Sequence, residues 1–95
     1  MKIDFRKITV ENLDGTTDEK DIAQWLGNTI RQHTADIGED DLACDIYRHG
    51  EVEITQREAD IIRKYVDKAG LLAYIKRALY AKLAEVENNL QQSEQ

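Results

Sequence analysis

The side chains best suited to bind a metal or move a proton are His33, Cys44 and His49, with a group of acids around Asp40. Ten residues separate His33 from Cys44 and four separate Cys44 from His49. Structural zinc sites draw ligands in close pairs, about two to four residues apart, so this spacing predicts no metal centre. His33 falls on an apolar helical stripe, where a hydrogen-bonded imidazole is expected. His49, at a helix end, suits the terminal carbonyls. Cys44 reads as a small buried or half-buried side chain. The run Asp36-Ile37-Gly38-Glu39-Asp40-Asp41 is rich in carboxylates but lacks the alternating acids and the distal Glu of a calcium loop; it reads as a helix N-terminus.

Nucleophilic chemistry finds no better footing. No serine precedes Ser93, no G-x-S-x-G is present, and nothing around Cys44 implies an activated thiol. Asp14-Gly15-Thr16-Thr17 lacks the glycine spacing and the Lys-Ser/Thr ending of a phosphate loop and reads as a turn. Carboxylate pairs such as Asp40/Asp41 and Glu51/Glu53 arise by chance in a chain with 19 acids among 95 residues. The expectation is therefore no catalytic, metal-binding or cofactor-binding residue, no cofactor, and a role other than catalysis.

The elements that would position these residues follow from hydrophobic period. Phe5, Ile8, Val10 and Leu13 sit among polar neighbours before Asp14-Gly15, predicting a hairpin with strands at about 5–12 and 16–20. The second strand, Thr-Thr-Asp-Glu-Lys, has no large apolar side chain. From Ile22 the period becomes helical through Trp25, Leu26, Thr29, Ile30 and His33, with Asp21 and Gln24 placed like a capping box, predicting a helix at about 21–34. Gly27 costs that helix about 1 kcal/mol relative to Ala. Gly38 marks a stop, and Leu42, Ala43, Ile46 and Tyr47 form a second helix at about 40–48.

Glu51-Val52-Glu53-Ile54 alternates as a short strand able to join the N-terminal hairpin. Thr55-Gln56-Arg57-Glu58 is a capping box opening a helix at about 56–69, which Gly70 ends. Leu71, Leu72, Ile75, Leu79, Leu83, Val86 and Leu90 continue at spacings of three and four, predicting a last helix at about 71–90, with a single helix kinked at Gly70 as the alternative. The predicted fold is α+β: two or three antiparallel strands with four helices in one domain over 1–90, and a frayed tail at 91–95. Its predicted core is Ile8, Val10, Ile22, Trp25, Leu26, Ile30, Ile46, Ile54, Ile62, Tyr65, Val66, Ile75 and Leu79.

Charge narrows the partners. Thirteen Lys/Arg stand against 19 Asp/Glu, a net −6 that disfavours nucleic acid and anionic membrane surfaces. No apolar run is long enough for a membrane span, and with one unpaired cysteine the expected location is the cytoplasm. The charge is uneven. Residues 36–45 hold five acids and no base, whereas 63–82 hold Arg63, Lys64, Lys68, Lys76, Arg77 and Lys82 against Asp67 alone. Those six basic residues form a candidate face for nucleic acid, with the helices around Gly70 acting as a helix-turn-helix, although the turn after Gly70 looks hard to fit. Leu79, Leu83, Val86 and Leu90 lie at coiled-coil-like spacing and are the candidate interface with a protein partner, either a second copy or another chain.

Leu26-Gly27-Asn28, the Ile37-Gly38-Glu39 turn and the Gly50-Glu51-Val52-Glu53-Ile54-Thr55 junction give residues 7–80 a layout that resembles small uncharacterised proteins carried by bacterial phages and mobile elements. That resemblance implies an accessory or assembly role, with no specific residues attached to it.

Overall fold

The computed structural model describes residues 1–93, with side-chain surroundings for residues 1–86. It is an α+β fold with eight elements among the described residues: β1 (Lys2–Asp4), β2 (Ile8–Glu11), β3 (Thr17–Lys20), α1 (Ala23–His33), α2 (Ile37–His49), β4 (Glu51–Glu53), α3 (Gln56–Ala69) and α4 (Ala73–Ser93). The strands form two separate two-stranded antiparallel sheets, β1 with β4 and β2 with β3.

The expected first strand at 5–12 shortens to β2, Ile8–Glu11, and a further strand, β1, precedes it. The Asp4 carbonyl accepts from the Lys7 amide at 3.1 Å, and the Asp4 carboxylate accepts from the Arg6 amide at 3.0 Å, so the chain turns at residues 4–7. Before that turn, β1 sets Ile3 opposite Val52 of β4. The Ile54 amide donating to Met1 and the Phe5 amide donating to Gly50 extend this ladder at both ends. The strand at 51–53 therefore joins β1 and not the hairpin. After the turn, β2 buries Ile8 and Val10 and exposes Thr9 and Glu11, while β3 lies against it in the register Ile8 to Lys20 and Val10 to Asp18. Exposed over most of its length, β3 owes its existence to pairing and to the turn, not to a buried face of its own.

Helix boundaries shift where side chains compete for the ends. The α2 helix starts three residues before the expected 40, because the Asp36 carboxylate accepts from the Glu39 amide at 3.1 Å and caps it there; Gly38 lies inside the helix. At α1 the Asp21 carboxylate accepts from the Ala23 amide at 3.1 Å. Thr55 precedes α3 as expected, but its hydroxyl donates to the Glu58 carboxylate and does not accept from the helix backbone. Gly70 adopts the left-handed conformation, with φ 73° and ψ 35°, and separates α3 from α4 as two helices. The Leu72 carbonyl accepts from Ile75 and Lys76, so α4 begins at Ala73, not at 71. The three-residue connection that looked hard to fit is present. At its far end α4 continues to Ser93, past the expected end at 90; residues 94–95 of the expected tail lie outside the described residues.

One core unites these elements. Phe5, Ile8, Val10, Leu26, Ile30, Ile46, Ile54, Ile62 and Val66 are fully buried, joined by Leu79, Leu83 and Val86 of α4. Each fully buried side chain of this size contributes roughly 1.5–3 kcal/mol. Trp25 is only half-buried at the core's edge, unlike the central position its stripe implied. Two glycines allow close approach. A Cβ on Gly27 would meet the Ala43 carbonyl oxygen at 2.8 Å, so α1 and α2 cross with their backbones nearly touching. Gly50, at φ 75°, leaves room for the Arg6 side chain, whose guanidinium donates to the Arg48 carbonyl at 3.0 Å and closes the end of α2.

Candidate interaction groove

A broad surface depression lies between the hairpin and α4 and encloses about 880 Å³. Its walls follow from the two periodicities. Because β2 turns Ile8 and Val10 inward, Thr9 and Glu11 face outward onto the groove, and Asn12 and Leu13 extend that wall to the hairpin tip. Because α4 buries Ile75, Leu79, Leu83 and Val86, a neighbouring stripe of Tyr74, Ala78, Ala81 and Glu85 remains outside, flanked by Arg77 and Lys82.

The hairpin tip is held firmly. The Asn12 amide donates to the Thr16 carbonyl at 2.8 Å and the Gly15 amide to Asn12 at 3.1 Å. The Asp14 carboxylate accepts from both the amide and the hydroxyl of Thr16, at 3.0 and 2.6 Å. These bonds, the hydroxyl's foremost, hold the Asp14 carboxyl below its ordinary pKa. The Asn12 side chain adds bonds to Thr16 and Asp18 at 3.1 and 2.9 Å, and Gly15 supplies the positive φ, 88°, that the turn requires. On this fixed loop Leu13 is fully exposed. Across the groove Tyr74 is 44% exposed. A large apolar side chain presented by a hydrogen-bonded turn is a preformed contact point, since little loop entropy is lost when it is covered.

In sequence Leu13 groups with Phe5, Ile8 and Val10 but falls just past the strand expected at 5–12. Its parity sets it apart: Ile8 and Val10 predict Asn12 as the next inward position, and Leu13 is out of step. The candidate interface on the last helix is corrected more sharply. Leu79, Leu83 and Val86 are fully buried in the chain's own core, so they present nothing to a partner, and the side chain of Leu90 lies outside the described residues.

The six basic residues do not converge on one face. At about 100° per residue, Arg77 and Lys82 stand roughly 100° and 240° around α4 from Lys76. Three of the six are engaged within the chain. Lys64 donates to Glu39 at 3.1 Å, Lys82 lies 3.5 Å from Glu85, and the Arg63 guanidinium sits 5.4 Å from the centre of the Tyr80 ring. Tyr80 in turn donates to Asp67, and burial first, then that bond, pushes its phenol up to about 12. Lys68 lies exposed on α3, and Arg77 and Lys82 border the groove.

A second polar cluster holds α2 to α3. Glu39, 13% exposed, accepts from the Tyr65 hydroxyl at 2.5 Å, the Thr34 hydroxyl at 2.7 Å and Lys64. These bonds, led by that of Tyr65, bring its carboxyl down to about 2. The candidate metal ligands stay apart: the exposed His33 has its Nδ1 2.7 Å from the Thr29 carbonyl, Cys44 is half-buried beside Arg31, and His49 is exposed. Among the described residues no three His, Cys, Asp or Glu side chains gather as a metal site would require. No described helix is long and apolar enough to cross a membrane. No family model, curated protein or solved structure matches this chain.

Proposed function

We propose that this chain is a small, non-enzymatic protein-interaction module that self-associates through the outward face of α4 and the hairpin tip. The observation that carries the reading is the rigid display of Leu13 opposite the Tyr74, Ala78 and Ala81 stripe. Knob and groove lie on the same face, which is what a two-fold dimer needs, because each copy then offers both halves of the contact. The small side chains of Ala78 and Ala81 allow a second helix to approach closely. Arg77 and Glu85 stand eight residues apart, about 12 Å along the axis on either side of Ala81. An antiparallel copy centred on Ala81 brings its Glu85 to the level of Arg77, so the two ends attract where a parallel copy would set like charges level. The Lys82–Glu85 pair, 42% and 54% exposed, is a surface ion pair worth little and free to exchange partners.

An accessory or assembly role in the cytoplasm fits this reading, since a half-buried free thiol such as Cys44 persists reduced there. Sedimentation velocity over a concentration series, at low and moderate salt and with DNA duplexes or RNA added, tests it. A dimer that ignores nucleic acid and becomes monomeric on Leu13→Ser is expected. A monomer at high micromolar concentration sinks the proposal, and cosedimentation with nucleic acid that collapses as salt rises would favour a nucleic-acid regulator acting through the basic residues.

A further inference from the structure

The crevice between α1 and α2 lies apart from the groove and has a different chemistry. It encloses about 190 Å³ over a floor of Gly27 and Ala43, and its wall carries Asn28 and Arg31 from α1 with Cys44, Tyr47 and Arg48 from α2. No carboxylate lines it, so in a chain of net charge −6 its wall carries two positive charges. The guanidiniums keep donors available. Arg31 is ion-paired with Asp40, its Nε 3.6 Å from the carboxylate, and donates weakly from Nη1 to the Cys44 sulfur at 3.7 Å, which leaves its Nη2 for a further acceptor. Among the described residues no acceptor is engaged by the Arg48 guanidinium, whose own main-chain carbonyl is taken by Arg6.

From this we infer that the crevice binds a small oxyanion, a carboxylate or phosphate group, between Arg31 and Arg48. Guanidinium forks match the planar or tetrahedral oxygens of such groups and hold them through charge-assisted bonds. The Asn28 amide adds a neutral donor, and the half-exposed Tyr47 ring covers one side of the opening. Size sets the class of ligand. A crevice of about 190 Å³ has room for the anionic group and a short stem. Gly27 is what permits the cavity, because the two helices cross there at backbone contact while the longer side chains diverge above it.

Backbone amide shifts measured by NMR during titration with inorganic phosphate, acetate and chloride at matched ionic strength test the inference and separate the two sources of oxyanion. Saturable shifts confined to Asn28, Arg31, Cys44 and Arg48 are expected with phosphate or acetate and not with chloride, and an Arg31→Gln/Arg48→Gln variant should bind at least about tenfold more weakly. Arg48→Gln alone, at an exposed position, gives a partial loss in a fold left intact. Alkylation of Cys44 by neutral iodoacetamide should slow on binding in the parent and not in the double variant. Shifts that track chloride, or saturable shifts that persist in the double variant, would overturn the inference.

Discussion

The two sides of α4 invert the expectation that leucines mark an interface. Its inner side, Ile75, Leu79, Leu83 and Val86, is buried where α4 packs on α3 and β2, while its outer side, Tyr74, Arg77, Ala78, Ala81, Lys82 and Glu85, faces the open groove. A domain of 95 residues has so little interior that the most apolar stripe of its longest helix is needed to complete the core. What remains for a partner is a flatter face of small residues bordered by charge, to which the hairpin adds one exposed leucine. Apolar content therefore identifies the buried side, and the interaction side is marked by small side chains and a rigid apolar neighbour.

The sharpest way to break this contrast is Leu83→Asp, which places an unpaired carboxylate in the core. Its cost, above about 4 kcal/mol, is comparable with the whole stability of a small domain, so loss of cooperative unfolding and of near-ultraviolet dichroism is expected. A folded, merely monomeric Leu83→Asp protein would return that leucine to the surface.

Gly27 extends the contrast to α1 and α2, where absence of a side chain, not presence of one, defines the contact. Gly27→Val forces a Cβ to within 2.8 Å of the Ala43 carbonyl oxygen and 2.9 Å of the Tyr47 Cβ. The loss is expected at about 1–3 kcal/mol in urea denaturation, despite any gain over glycine in helix propensity.

Tyr65 is intermediate, a core side chain with a polar edge. Tyr65→Phe keeps the packing and removes the bond to Glu39, costing about 1.5 kcal/mol at neutral pH. Because the folded Glu39 carboxyl titrates at about 2, below its ordinary 4.5, the folded state releases that proton more readily than the unfolded one. The stabilisation is complete above pH 4.5 and disappears as pH falls toward 2. Denaturation midpoints over this range should fall less steeply in Tyr65→Phe than in the parent, and equal slopes would remove Tyr65 as the principal cause.

On the outer side the effect on folding should be smallest. Ala81→Asp replaces an exposed helical residue at a cost of about 0.5 kcal/mol, yet it sets two carboxylates together at the proposed two-fold contact. A monomer by light scattering with a nearly unchanged melting curve is the expected pair of results. A dimer that survives Ala81→Asp would move the contact off α4.

Legibility differed between fold and site for a physical reason. Helical period and flanking glycines are local, and α3, bounded by Thr55 and Gly70, falls where its sequence places it. Strand partners are not local: Lys2-Ile3-Asp4 is too short to show alternation, and its pairing with Glu51–Glu53 depends on a turn at Asp4 that only the folded chain reveals. The groove was hidden for a related reason, since Leu13, Tyr74 and Ala81 are far apart in sequence and none is unusual alone. Arg31 and Arg48 likewise gain meaning only where the helices carrying them cross.

By itself, then, the sequence determined the α+β class, four helices, the Asp14-Gly15 hairpin and most of the core, because capping, turn chemistry and hydrophobic period act within a few residues. Tertiary structure decided which stripe of α4 is buried, which strand meets which, and where two guanidiniums share a crevice. Those outcomes depend on how limited apolar surface is divided among elements distant in sequence, a competition settled only when all of them pack at once.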